Sequence, residues 1–116
     1  MATTPVTESQ IHANLLEELP ILREATTSRV VLNNDILRFV LFSFDAGQLL
    51  TEHASPRAVI VQLLSGKMDF SVDGESAELT AGDIVYLAPN ARHALTAIEP
   101  CHLALTMVDV NAVLPA

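Results

Sequence analysis

Short apolar segments, some of them alternating apolar and polar positions with a period of two, are cut by turn signals at spacings of roughly 8–12 residues. Lys67 to Val72 shows the pattern most cleanly, with Met68, Phe70 and Val72 set against Lys67, Asp69 and Ser71. A pleated strand places these two sets on opposite faces. The same reading predicts strands over Ser28–Leu32, Ile36–Phe44, Gln48–His53, Ala58–Leu64, Glu75–Leu79, Ile84–Leu87, His93–Ile98 and His102–Val110. Asn33-Asn34-Asp35, Asp45-Ala46-Gly47, Ser55-Pro56, Ser65-Gly66 and Gly82-Asp83 punctuate them. Asp73-Gly74 is a two-residue hairpin signal, because both residues tolerate positive φ. Only the N-terminal part changes period. Thr7-Glu8-Ser9-Gln10 fits a capping box, Ile11, Leu15 and Leu19 recur every four residues, and Pro20 stops the pattern. A short amphipathic helix is expected there, with His12 facing solvent.

Eight or nine short strands with no long helices between them exclude a parallel βαβ sheet and point to an all-β sandwich or barrel. The 116 residues fit one domain. Residues 1–34 read as a tail, short helix and outer strand, residues 35–110 as the barrel, and residues 111–116 as a C-terminal tail. Ile36–Phe44 is apolar on both faces, and together with Ala58–Leu64 it offers more apolar surface than one small barrel covers. A homodimer is therefore expected.

Charge narrows the partners. Fourteen acidic residues against six basic ones give a formal net charge of −8, which opposes a nucleic-acid backbone or an anionic membrane surface. The basic residues form no run. A lone cysteine, Cys101, excludes an internal disulfide and reads as a small buried apolar residue. The first ten residues have neither a basic start nor an apolar core of signal-peptide length, and Ile36–Phe44 is too short to cross a bilayer. A soluble protein of the cytoplasm is the expectation, with a small molecule as its partner.

Candidate chemistry rests on two histidines. His53 and His93 each open or close an apolar run, and they lie 40 positions apart. A sheet that rolls back on itself would bring them to one cavity. Gly47, His53 and Gly66, followed by Gly82, Pro89 and His93 within AGDIVYLAPNARHAL, fall on two ordered motifs separated by the Asp-Gly hairpin. In these residues the chain resembles the small single-domain cupins, RmlC-like conserved barrels with a double-stranded β-helix, or jelly-roll, fold. The resemblance covers about Asp35 to Val110.

What the resemblance implies is a barrel with a ligand pocket lined by His53, Ser55, Val59, Gln62, Tyr86 and His93. Metal-binding cupins usually present three histidines and a glutamate. Here Ser55 stands at the second histidine position and Val59 at the glutamate position, so only His53 and His93 remain as metal ligands. A divalent ion (iron, manganese, nickel or zinc) would be held weakly, since such ions normally take three or four protein donors. Three functions stay open: a small-molecule-binding cupin, a metal-dependent oxygenase or isomerase, and a structural or regulatory barrel without chemistry. A sugar-epimerase reading is disfavoured, because Glu52 next to His53 should face away. Of the other polar residues, His102 is expected at a strand start and partly exposed, Asp83 as a cap of backbone amides, and Arg92 at an exposed loop end.

Overall fold

The computed structural model describes residues 4–113. Among these residues, nine strands run in chain order: β1 (Thr26–Asn33), β2 (Leu37–Phe44), β3 (Leu49–His53), β4 (Ala58–Ser65), β5 (Lys67–Val72), β6 (Glu75–Thr80), β7 (Ile84–Leu87), β8 (His93–Ala97) and β9 (Cys101–Val108). They form two antiparallel sheets. One has the order β1-β2-β9-β4-β7 and the other β3-β8-β5-β6. This is the expected all-β double-stranded β-helix, with consecutive strands repeatedly crossing between sheets.

Alternation decides the core. Val59, Val61 and Leu63 of β4 face Leu103, Leu105 and Met107 of β9 inside the barrel, and Met68 and Phe70 of β5 meet Leu95 and Ala97 of β8 from the other sheet. Phe44, Leu63, Met68 and Cys101 are fully buried and close one end. Removing a leucine- or phenylalanine-sized side chain from water contributes roughly 1.5–3 kcal/mol. The Asp73-Gly74 hairpin forms as expected, with φ of 48° and 86°.

The N-terminal segment departs from its periodic pattern. The helix α1 is a single turn, Leu15–Glu18. Asn14 adopts a left-handed conformation with φ of 59°, and no side chain caps the turn. Ile11 is 95% exposed, so the apolar stripe that would reward a longer helix has nothing to pack on. Leu15 and Leu19 do find a surface. They lie on the outer face of the five-stranded sheet with Val31, Leu41 and Ala104. That packing covers the second apolar face of β2 within one chain. A short C-terminal turn, α2 (Val110–Val113), follows β9. Among the described residues, no helix is long and apolar enough to cross a membrane.

His102 corrects its expectation. It is buried beneath the N-terminal segment rather than partly exposed. Its Nε2 donates to the Leu19 carbonyl at 2.7 Å, and Ser65 Oγ meets Nδ1 at 3.0 Å. The His102 amide donates back to Ser65 Oγ. The ring thus fastens the segment around α1 to the barrel.

Candidate functional site

The end of the barrel opposite Phe44 and Cys101 retains a cavity of about 110 Å³. His53 and His93 meet at its rim, their Cα positions paired across β3 and β8 and their ring centroids 4.1 Å apart at an interplanar angle of 58°. Leu50 and His53 both line this cavity, although residues three apart on a regular strand face opposite ways. A register shift between them resolves the parity. The bulge re-aims His53 inward, a common use of such irregularities.

Both imidazoles are held alike. His53 Nδ1 donates to the Thr51 carbonyl at 2.8 Å, and His93 Nδ1 to the Ala91 carbonyl at 3.1 Å. A backbone carbonyl can only accept, so Nδ1 of each ring is the donor in these bonds. Neither Nε2 has a partner among the described residues. The His93 ring stacks on Phe70, with centroids 6.1 Å apart and planes 3° from parallel. Its pKa is lowered, first by burial and then by the neighbouring His53, against the opposing effect of the Ala91 hydrogen bond. A neutral acceptor is the outcome.

The remaining walls are apolar. Phe42, Leu87, Leu95 and Leu105 line the cavity, and Met107 adds a thioether. Of the residues expected there, Val59 and Ser55 are present. The Ser55 hydroxyl, however, accepts the Arg57 amide at 3.2 Å, and the Ser55 carbonyl accepts that of Asn90. It shapes the rim.

Gln62 and Tyr86 are corrections. Gln62 pairs with Ile84, and Tyr86 with Ile60. All four point out of the barrel, with Tyr86 63% exposed. Val59, Val61, Val85 and Leu87 hold the alternate, inward positions. Glu52 faces away from the pocket as expected and pairs with Arg92 at 2.7 Å, which turns that arginine away from any ligand. Asp83 accepts the Thr80 amide at 2.8 Å, the expected cap. Sequence reasoning missed Phe70 and Met107. Phe70 shares the inward set of β5 with Val72, the partner of His93, so the alternation carried a signal for it. Met107 follows from its pairing with Val59, which only the register reveals.

The donor set does not suit a resident divalent ion. Two imidazole nitrogens are available, the Ser55 hydroxyl is engaged, and no carboxylate lines the cavity. Among the described residues, no group of three or more histidine, cysteine or acidic side chains is placed to hold a metal.

Comparison with known proteins agrees with the geometry. A family model described as "Cupin domain" matches residues 40–109. No curated protein matches the chain. Among solved structures, a conserved protein of unknown function from Streptococcus pyogenes is 28% identical, with a TM-score of 0.80 over 94% of this chain and 96% of that one. An RmlC-like cupin from Desulfovibrio desulfuricans is 21% identical, with a TM-score of 0.78 over 87% and 97% of the two chains. KdgF from a Halomonas species is 23% identical, with a TM-score of 0.67 over 77% and 85%.

Proposed function

The chain belongs to the cupin family, and on that premise we propose that it binds a small hydroxylated molecule at the mouth of its barrel, with a divalent metal as an exchangeable guest. One observation carries this reading. Two imidazoles 4.1 Å apart line a largely apolar site, each with Nδ1 tied to a backbone carbonyl and Nε2 without a partner among the described residues. Such a site orients a ligand by a few placed polar contacts while hydrocarbon fills the rest. A ligand hydroxyl, able to donate or accept, suits each unpartnered Nε2. The cavity of about 110 Å³ is smaller than the roughly 300–1,000 Å³ of sites that swallow whole drug-sized ligands. It therefore takes the end of a molecule whose remainder passes the exposed His53. A metal held by two nitrogens exchanges readily, since affinity drops with each missing donor.

A second reading, a metal-dependent oxygenase or isomerase, draws support from the ring orientation, because tying Nδ1 to a carbonyl is also how ligating histidines are fixed. It requires the substrate and water to bring the missing donors.

Metal content and thermal stability separate the two. Protein purified without a histidine tag is expected to carry far less than one equivalent of iron, manganese, nickel or zinc. A panel of small polyols, sugars and hydroxy acids should include compounds that raise the Tm saturably. At a hundredfold excess over Kd the stabilisation is about 2.7 kcal/mol, or on the order of 10 °C for a domain of this size. A His53→Ala, His93→Ala double variant should lose that shift. Stoichiometric metal that vanishes in the double variant would instead support the metalloenzyme.

A further inference from the structure

A second cleft, of about 560 Å³, lies at the same end of the five-stranded sheet. Its walls include Asn33 at the end of β1, Arg38 on β2, Arg57 just before β4, and Asp109 and Asn111 after β9. Arg38 pairs across the sheet with Met107, a wall of the histidine cavity. The two sites are neighbours that share no lining residue.

The charge distribution sets this cleft apart. The chain has six lysines and arginines. Four of them, Arg23, Arg29, Lys67 and Arg92, contact carboxylates. The other two are Arg38 and Arg57, and both face the cleft. Arg38 Nε donates to Asn33 Oδ1 at 3.3 Å. The Arg57 side chain makes no hydrogen bond among the described residues, and its Nη1 is buried without an acceptor. Asp35 and Asp109 also line the cleft, yet neither reaches ion-pair distance of a guanidinium among the described residues.

An orphaned buried donor is costly, and more so when it carries charge. A guanidinium cannot escape by losing its proton. In a chain with fourteen carboxylates, two arginines left without one and turned to a single cleft leave room for an acceptor from outside. Planar forks of N–H donors match oxyanions in geometry as well as charge. We propose that the Arg38–Arg57 cleft binds an oxyanion, the carboxylate or phosphate group of a small organic molecule. The volume suits a small ligand of that kind. The site is independent of the reading given to the histidine cavity.

Malonate and inorganic phosphate are the probes, titrated into metal-stripped protein at constant ionic strength against a chloride control. Saturable binding by calorimetry is expected for at least one of them, and the preferred probe distinguishes carboxylate from phosphate recognition. Arg57→Gln and Arg38→Gln should each raise Kd about tenfold or more, equivalent to roughly 1.4 kcal/mol. The His53→Ala, His93→Ala double variant should bind as the wild type does, so failure of the histidine reading leaves this test intact. Absence of saturation by both probes, or an unchanged Kd in a folded Arg57→Gln variant, overturns the proposal. Should Arg57→Gln not fold, the side-chain Nε–Hε resonances of Arg38 and Arg57 in the wild type decide. Movement with the probe supports the site, and resonances unmoved at saturating concentrations overturn it.

Discussion

His93 shows how one residue couples packing to pH. Its ring lies against Phe70 and beside His53, and its pKa is lowered from 6.5, chiefly by burial. Between the lowered native value and 6.5 the unfolded chain takes up a proton that the native state refuses, so stability rises with pH in that window. The contribution is complete above pH 6.5 and is lost as pH falls through the native pKa. One such group changes stability by at most about 1.4 kcal/mol per pH unit. Urea unfolding of metal-free protein across this window should give a positive slope that His93→Phe flattens. An identical slope in the variant would remove His93 as its source. Cys101 shifts in the opposite direction for the same cause: burial pushes its thiol up to about 11. This agrees with its reading as a small buried apolar residue.

At the level of elements, Gly66 is where geometry leaves no latitude. The turn from β4 to β5 places it at φ of 83°, and an added Cβ would sit 2.2 Å from the Pro100 carbonyl oxygen and 2.6 Å from Cys101 Cβ. Two strands' ends meet there, so relief requires the backbone of β9 to move. Gly66→Ala should therefore cost at least about 2 kcal/mol, combining left-handed strain with overpacking. Gly74→Ala, at φ of 86° with open space around it, should cost only the conformational part. Thermal unfolding of the two variants checks the order, and equal losses would remove the clash as the cause. Strand positions and turns such as these were legible from alternation and turn chemistry, because both are local. The two motifs also located His53 and His93. The facing of Gln62 and Tyr86 was not legible, since parity along β4 and β7 depends on cross-strand register. Nor was the β3 bulge that turns His53 inward, because an extra residue leaves no mark in composition. The overlong N-terminal helix fails for a related reason: a period of four cannot say whether a surface exists to receive Ile11.

At the scale of the whole molecule, the expected surplus of apolar surface is partly absorbed. The outer face of β2 lies under Leu15 and Leu19, whereas β4 and β7 leave Ile60, Ile84 and Tyr86 exposed on one outer face. β7 is an edge strand of its sheet, so its unpaired backbone groups adjoin that patch. Edge strands beside apolar side chains invite pairing, and a second copy of this chain brings the same edge by two-fold symmetry. We propose a homodimer through the β4–β7 face. The chain's charge of −8 opposes the association at low ionic strength, so added salt should tighten the dimer by screening. Ile84→Glu or Tyr86→Glu places like charges against each other at the two-fold interface and should weaken it about a hundredfold, while the exposed positions spare the fold. Val30, exposed on the opposite edge strand β1, provides the control. Sedimentation velocity should show dimer for the wild type and Val30→Glu, and monomer for the β7 variants. Monomer at every concentration for the wild type, or dissociation by Val30→Glu alone, would refute the β7 interface.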